Sequence, residues 1–244
     1  MSSPREISYP TYLELDALLS LQRPQSKPEH PDELIFIVVH QASELWFKVL
    51  LHEFDHLIAQ LEATDAQAAL TTMQRINTLV ELVAHELSAL DTLPPQRFMQ
   101  FRGYLGSSSG SQSAQFRAIE ATSGLRDPHF MSALKEHGEL PPKVARALEK
   151  PTLQALFLSM IERQGVSLEA IYTEPQHGML LMLAESFLAY EQGFAPRVPP
   201  VPPVSGPMMR STSCTCRNRH RANPCSYARN DSASISSMPC FGSV

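Results

Sequence analysis

Apolar residues recur every three or four positions through most of the first 195 residues, which is the period of an α-helix. The longest such segment predicts a helix over residues 31–63, and a second segment predicts a partner helix over residues 66–90. Shorter helices are predicted at residues 11–20, 113–121, 127–137, 142–149, 151–164, 165–172 and 176–195. No segment alternates between apolar and polar residues as a half-buried strand does. We therefore expect an all-α fold, a helical bundle-like domain with long core helices.

The composition of the chain changes sharply at about residue 195. Residues 196–244 contain all four cysteines and eight of the 20 prolines, but no leucine and no helical period. Such a segment cannot bury enough apolar surface to fold, so we predict a disordered tail. A natural tail and a frame-shifted reading of the end of the gene both fit this change. The expected organisation is a helical domain at residues 1–195 and a Pro/Ser/Arg/Cys-containing tail at residues 196–244.

Charge and hydropathy narrow the class of protein. The formal net charge is −5, which does not suggest a nucleic-acid surface. By inspection, no apolar run approaches the roughly 18–20 residues that span a bilayer. The first ten residues, MSSPREISYP, lack the apolar stretch of a signal peptide. We expect a cytoplasmic protein that binds neither nucleic acid nor a membrane.

A histidine interrupts the apolar face of the longest predicted helix. Phe36, His40 and Phe47 share one side of that helix at positions i, i+4 and i+11, and Trp46 follows shortly after His40. His40 is either a core imidazole that neighbouring groups hydrogen-bond, or a polar group that lines a pocket for a flat ligand. The helix alone does not decide between these two roles.

A loop of small and polar residues lies between Arg102 and Arg117. Residues 106–113 read GSSSGSQS, so the loop offers backbone N–H groups and hydroxyls. An anion such as a carboxylate would be bound well by these donors together with an arginine fork. A flexible surface loop with solvated arginines at its ends is the alternative.

Three segments of the chain together resemble the tryptophan 2,3-dioxygenase family. They are YPTYLELDALL at residues 9–19, FIVVHQASELWFK at residues 36–48 and FRGYLGSSSGSQSAQFR at residues 101–117. They match, in order, the family patterns Y-x-x-Y-L-x-L-D-x-L-L, F-I-x-x-H-Q-x-x-E-L-W-F-K and F-R-x-x-L-G-x-x-S-G-x-Q-S-x-Q-x-R. The resemblance extends from about residue 8 to about residue 195.

The resemblance implies a haem-dependent homotetrameric enzyme that cleaves the indole C2–C3 bond of L-tryptophan, or of a substituted tryptophan, with dioxygen. The product would be N-formylkynurenine and the cofactor haem b. By the same resemblance His40 is the distal histidine that meets the indole N–H, Arg102 holds the substrate carboxylate and Phe36 is a wall of the indole pocket. The remaining implied site residues are Ser109 and Gly110 beside the haem, Phe98 near the carboxylate, and Tyr9, Tyr12 and Leu13, which a neighbouring subunit supplies. For the two tyrosines, packing of an amphipathic N-terminal helix is the alternative.

Three departures from the family pattern stand out. Phe98 replaces a tyrosine, and Ser111 replaces the aromatic residue of the usual S-G-F-Q-S. The family motif W-R-x-x-H, which carries the proximal haem ligand, should follow Phe194, but the chain continues APRVPPVPPVSG. His220 is the single histidine that the tail offers in its place.

The tail also contains residue types that bind zinc. Cys214, Cys216, His220 and Cys225 are such residues, although their spacing fits no common zinc finger. Two functions thus stay open from the sequence. One is a haem dioxygenase of tryptophan, impaired by the loss of the proximal-histidine segment, and the alternative is a catalytically inactive helical oligomeric remnant that binds indole or haem weakly.

Overall fold

The computed structural model of the protein describes residues 7–126, 132 and 140–197. Within these ranges the chain forms helices and connecting turns, with no strand, which confirms the all-α prediction. The α-helices are α1 (Tyr9–Tyr12), α2 (Leu15–Leu18), α3 (Glu33–Glu62), α4 (Ala66–Leu87), α5 (Pro95–Arg102), α6 (Ala114–Ser123), α7 (Pro142–Glu149), α8 (Leu153–Arg163), α9 (Leu168–Thr173) and α10 (Gly178–Arg197). Short 3₁₀ helices occupy Ser88–Thr92, Gly103–Leu105, Gly110–Gln112 and Pro175–His177.

The helix α3 is the centre of the domain. It packs against α4, α6 and α8, while α4 also packs along α10. Its buried apolar side chains follow the helical period, so one stripe of the helix faces the core. They are Val39, Phe47, Leu50, Phe54, Leu57 and Leu61. The predicted boundaries of this helix, residues 31–63, are correct to within two residues.

The helix α4 covers that stripe. The Asp65 carboxylate accepts a hydrogen bond from the Ala68 N–H at 3.0 Å, so it caps the first turn. Its large apolar residues at helical spacing are buried, namely Leu70, Met73, Ile76, Leu79, Val80 and Val83. The α-helix ends at Leu87 and continues as the 3₁₀ helix Ser88–Thr92. The predicted end at residue 90 therefore lies two residues before the end of this continuous helical segment.

Several short helices begin at capping residues or prolines. The hydroxyls of Ser113, Thr152 and Ser167 each accept a hydrogen bond from the N–H group three residues ahead, at the starts of α6, α8 and α9. Proline is the first residue of α5 and of α7, where its missing N–H costs no hydrogen bond. These local signals explain why helix starts could be predicted closely.

Three predictions differ from the structure or lie outside its described residues. The predicted helix at residues 11–20 is instead two single turns, α1 and α2, because Glu14 between them has a left-handed backbone with φ of 49°. Apart from residue 132, the predicted helix at residues 127–137 lies outside the described residues. The same holds for the predicted tail from residue 198 onward, whereas α10 continues to Arg197.

One helix, α3, is long and apolar enough to cross a membrane, with a mean hydropathy of 1.6 over its most apolar window. The expectation that no segment approaches this length was wrong, because the few polar residues in α3 hardly lower its average hydropathy. Length and hydropathy do not decide the question, since core helices of globular domains share both. The buried carboxylates Glu33 and Glu53 and the packing against three other helices show that α3 is a core helix of this domain.

A buried carboxylate fixes the chain that enters α3. Glu33, with none of its surface exposed, accepts hydrogen bonds from the Gln25 N–H at 2.7 Å and from the Ser26 N–H at 3.0 Å. The Ser26 hydroxyl donates a third bond to the same carboxylate. Burial by itself would raise the pKa of Glu33, but these hydrogen bonds and the nearby His30 together lower it below its usual range. Glu33 is therefore held as a carboxylate.

We expect Glu33→Gln to destabilise the protein by about 1–3 kcal/mol at pH 7, since an amide cannot accept all of these bonds as a carboxylate does. Because the folded pKa is depressed, this contribution is fully present above the ordinary pKa of 4.5 and is lost as the pH falls through the folded value. Urea unfolding of both proteins from pH 7 downward measures the difference. Glu29→Gln, an exposed neighbour, is the matched control and should change the free energy of unfolding little. A difference between Glu33→Gln and the native protein that stays constant down to the lowest pH would contradict this role of Glu33.

Candidate functional site

His40 lies on α3, partly buried, one turn after Phe36. The His40 Nδ1 atom is 2.7 Å from the Phe36 carbonyl oxygen, which can only accept a hydrogen bond. Nδ1 therefore carries the proton, and in a neutral imidazole Nε2 is then an acceptor. Among the described residues Nε2 has no hydrogen-bond partner. The alternative of a fully hydrogen-bonded core imidazole is therefore only partly correct. Nδ1 has a hydrogen-bond partner, whereas Nε2 is available to a ligand.

Aromatic rings surround His40. The Phe36 ring is tilted against the imidazole at a centroid distance of 4.3 Å. Phe98 and Phe101, both on α5, pack on Phe36 at 5.4 Å and 5.8 Å, and His30 packs on Phe101 at 5.1 Å. These contacts join α5 to the N-terminal half of α3. Phe36, Phe98 and Phe101 form a small aromatic wall, and the imidazole of His40 packs on it through Phe36.

Arg102 ends α5 and reaches into the loop after it. Its Nη1 donates to the Gly106 carbonyl at 2.8 Å and its Nη2 donates to the Ser108 carbonyl at 3.4 Å. Gly106 has φ of 58°, a left-handed value that favours glycine. The turn that directs the Gly106 carbonyl toward Arg102 therefore depends on this glycine. A guanidinium has five N–H donors, so the two loop bonds leave others for an anion. Phe98 lies one turn before Arg102 on the same helix, which connects the arginine to the aromatic wall.

The remaining loop residues that the resemblance selected also lie after α5. Ser109 donates its backbone N–H to the Gln112 side-chain oxygen at 3.1 Å, and Gly110 begins the 3₁₀ helix Gly110–Gln112. Ser113 then caps α6. Side chains of the loop thus form hydrogen bonds with its own backbone and with the start of α6.

The second arginine of the loop motif has a different role. Arg117 lies on α6 and donates to the buried Glu120 at 2.7 Å. Burial raises the pKa of Glu120 above its usual range, although the charge of Arg117 acts in the opposite direction. Arg117 therefore neutralises a buried carboxylate, whereas Arg102 donates to two carbonyls of the loop.

Tyr9, Tyr12 and Leu13 lie apart from the aromatic wall. Tyr9 is 73% exposed, Tyr12 74% and Leu13 39%, in and just after the single turn α1. The alternative in which these tyrosines pack an amphipathic helix within their own chain was wrong, because no residue of α1 is buried. Whether a neighbouring subunit uses them stays a prediction.

Contacts that the sequence patterns did not reveal hold the site together. The Tyr104 hydroxyl donates to the Lys27 carbonyl at 2.9 Å, and Arg97 on α5 forms an ion pair with Asp32 at the start of α3. His30 contacts both Phe101 and, through Nε2, the Gln100 side-chain oxygen at 3.0 Å. His30 was missed because it precedes α3, where no helical period marks it.

The described residues do not supply an axial imidazole for a haem. His30 is bonded to Gln100, His177 is paired with Glu174 at 3.3 Å, and His52 is bonded to His56 at 3.0 Å. His85 is exposed at the end of α4. No group of three or more metal-ligating side chains occurs in the described part of the chain either. His220 lies outside the described residues, as do His129 and His137.

Comparison with known proteins agrees with this geometry. The sequence profile of the family described as tryptophan 2,3-dioxygenase matches residues 2–166. The tryptophan 2,3-dioxygenase of Kineococcus radiotolerans is 41% identical over 161 residues, which are 66% of this chain and 56% of that protein. The proteins of the same name from Arthrobacter sp. (strain FB24) and Anaeromyxobacter sp. (strain K) are each 39% identical, over 65% and 70% of this chain and 56% and 64% of their own lengths. The chain thus spans between about half and two thirds of these relatives. Because the profile covers well over half of its residues, this chain belongs to the tryptophan 2,3-dioxygenase family.

Proposed function

We propose that the chain is the substrate-binding part of a haem-dependent dioxygenase that cleaves the indole C2–C3 bond of L-tryptophan or a substituted tryptophan. Both atoms of dioxygen enter the product, N-formylkynurenine. The observation that carries this proposal is His40, whose Nδ1 is tied to the Phe36 carbonyl while Nε2 is left as an acceptor beside an aromatic wall. An indole presents a flat apolar ring with one N–H donor, and this arrangement is complementary to it.

The substrate would be held at two points. The indole would lie against Phe36 with its N–H donating to His40 Nε2, and the α-carboxylate would be bound by Arg102. Phe98 stands where relatives have a tyrosine, so it would contribute an apolar contact without a hydrogen bond. Ser109 and Gly110 would lie on the cofactor side, and Tyr9, Tyr12 and Leu13 would complete the pocket of a neighbouring subunit in a homotetramer. We place the protein in the cytoplasm.

Haem b is the cofactor that the family implies, and it would provide the oxygen chemistry. The described residues would contribute by binding the substrate and by accepting or positioning the indole proton. We infer that loss of the proximal-histidine segment impairs the chain. The second candidate, a catalytically inactive oligomeric remnant that binds indole or haem weakly, is favoured by the same missing ligand.

We expect Arg102→Ala to weaken binding of tryptophan by about tenfold or more while changing binding of plain indole little, because only tryptophan has a carboxylate to lose. Calorimetric titration of both ligands measures the two effects. Arg97→Ala, an arginine on the same helix that pairs with Asp32, is the control and should not discriminate between the ligands. Equal losses for tryptophan and indole in Arg102→Ala would exclude Arg102 as the carboxylate clamp.

The role of His40 can be separated from packing with a methylated ligand. Methylation of the indole nitrogen removes its donor, so the native protein should bind N-methylindole several-fold more weakly than indole, as expected for about one hydrogen bond. His40→Leu should bind both with nearly equal affinity. Should His40→Leu discriminate as strongly as the native protein, the indole N–H does not meet this imidazole.

Haem binding by the unaltered chain distinguishes the two candidate functions. We expect a weak Soret band on titration with haem and little or no conversion of tryptophan, because iron ligation normally adds affinity and sets reactivity. A chimaera in which residues 196–244 are replaced by a C-terminal part with the family motif W-R-x-x-H, taken from the Kineococcus radiotolerans relative, should recover both. Tight stoichiometric haem with turnover in the unaltered chain would refute the impairment, and loss of that band in His220→Ala would then assign the ligand.

A further inference from the structure

A cleft outside the candidate site lies between α3, α6 and α7. Its volume is about 350 Å³, within the range of sites that hold small molecules. Residues of α3 and α7 form its sides, and α6 contributes Gln115, Ala118 and Thr122. None of the residues of the aromatic wall, and neither His40 nor Arg102, lines it.

The floor of the cleft is apolar. Phe54 from α3, Ala118 from α6 and Ala147 from α7 are buried, and Leu51 and Ile58 are half-buried beside them. Ala118 and Ala147 belong to a small cluster in which α6 and α7 meet through short side chains. Because these side chains are short, the floor lies below the long polar side chains of the rim.

The rim is cationic in a chain whose formal net charge is −5. Lys48 from α3, Lys143 and Arg146 from α7 and Lys150 just after α7 line the cleft, and Asp55 is the single carboxylate among its lining residues. Four cationic side chains thus converge on one cleft of an acidic protein. Such a local excess of positive charge attracts anions.

Two of these cations are engaged and two are available. The Lys143 ammonium donates to the Gln115 side-chain oxygen at 3.0 Å, and Lys150 pairs with Asp55 at 3.3 Å. Glu44, the carboxylate one turn before Lys48, accepts from the Gln115 amide at 2.8 Å and so is itself occupied. Within the described residues Lys48 and Arg146 have neither a hydrogen bond nor an ion pair.

We propose that this cleft binds a small organic anion, a carboxylate or phosphate group attached to an apolar body. Arg146 provides a planar fork for the anionic group and Lys48 a second charge, while the apolar body covers Leu51, Ala118 and Ala147. This site is separate from the proposed dioxygenase pocket and does not depend on it. Neither a cation nor a neutral amino acid matches its charge.

Calorimetric titration of the full chain with naphthoate and with naphthyl phosphate tests the proposal, and inorganic phosphate serves as the anion without an apolar body. We expect both naphthyl compounds to bind with one saturable site, and the tighter of them identifies the preferred head group. The double variant K48Q/R146Q should raise their dissociation constants about tenfold or more, since two charged donors are lost. The variant R23Q/K27Q removes two charges outside the cleft and should leave binding unchanged.

Three results would overturn the proposal. The first is an absence of saturable binding to the unaltered chain, and the second is an equal loss in K48Q/R146Q and R23Q/K27Q. The third is inorganic phosphate binding as tightly as the naphthyl compounds, which would deny a role to the apolar floor.

Binding must also persist in Arg102→Ala, because its loss there would assign the ligand to the dioxygenase pocket instead. Circular dichroism of K48Q/R146Q, whose changed residues are both exposed, verifies that the variant is folded.

Discussion

Burial of one stripe of α3 is the constraint on which both the core and the candidate site depend. From Phe47 to Leu61 that stripe packs under α4, α6 and α8, and the removal of this apolar surface from water stabilises the domain. The same rigid helix continues toward its N-terminus and there carries Phe36 and His40. Their position is therefore set by packing that lies two to seven turns away.

Outside its packed stripe, α3 leaves large apolar side chains exposed to solvent. Leu34, Ile35, Val38 and Leu45 are each at least about one third exposed, as are most apolar residues of the N-terminal segment before α3. Exposed apolar surface of this extent is typical of a protein that associates with further polypeptide. It lies in the same region as Tyr9, Tyr12 and Leu13, for which the family implies a contact with a neighbouring subunit.

Backbone carbonyls orient the two polar side chains of the candidate site. The Phe36 carbonyl selects the tautomer of His40, and the Gly106 and Ser108 carbonyls orient Arg102. Groups held in this way lose little freedom when a ligand binds, which preserves affinity. Among the described residues, His40 and Arg102 are the side chains of the candidate site that are held in this way.

The sequence by itself determined the helices of the domain. The period of α3 and α4, the caps at Asp65 and Ser113 and the prolines at the starts of α5 and α7 are local signals, and local signals decide local structure. The segments around His40 and Arg102 were singled out through the family resemblance, because each is a short continuous stretch of chain. Only the tertiary structure decided that Arg117 pairs with Glu120, a carboxylate that becomes buried when α6 packs. The cationic cleft between α3 and α7 likewise follows from contacts between distant segments, which no period along the sequence encodes.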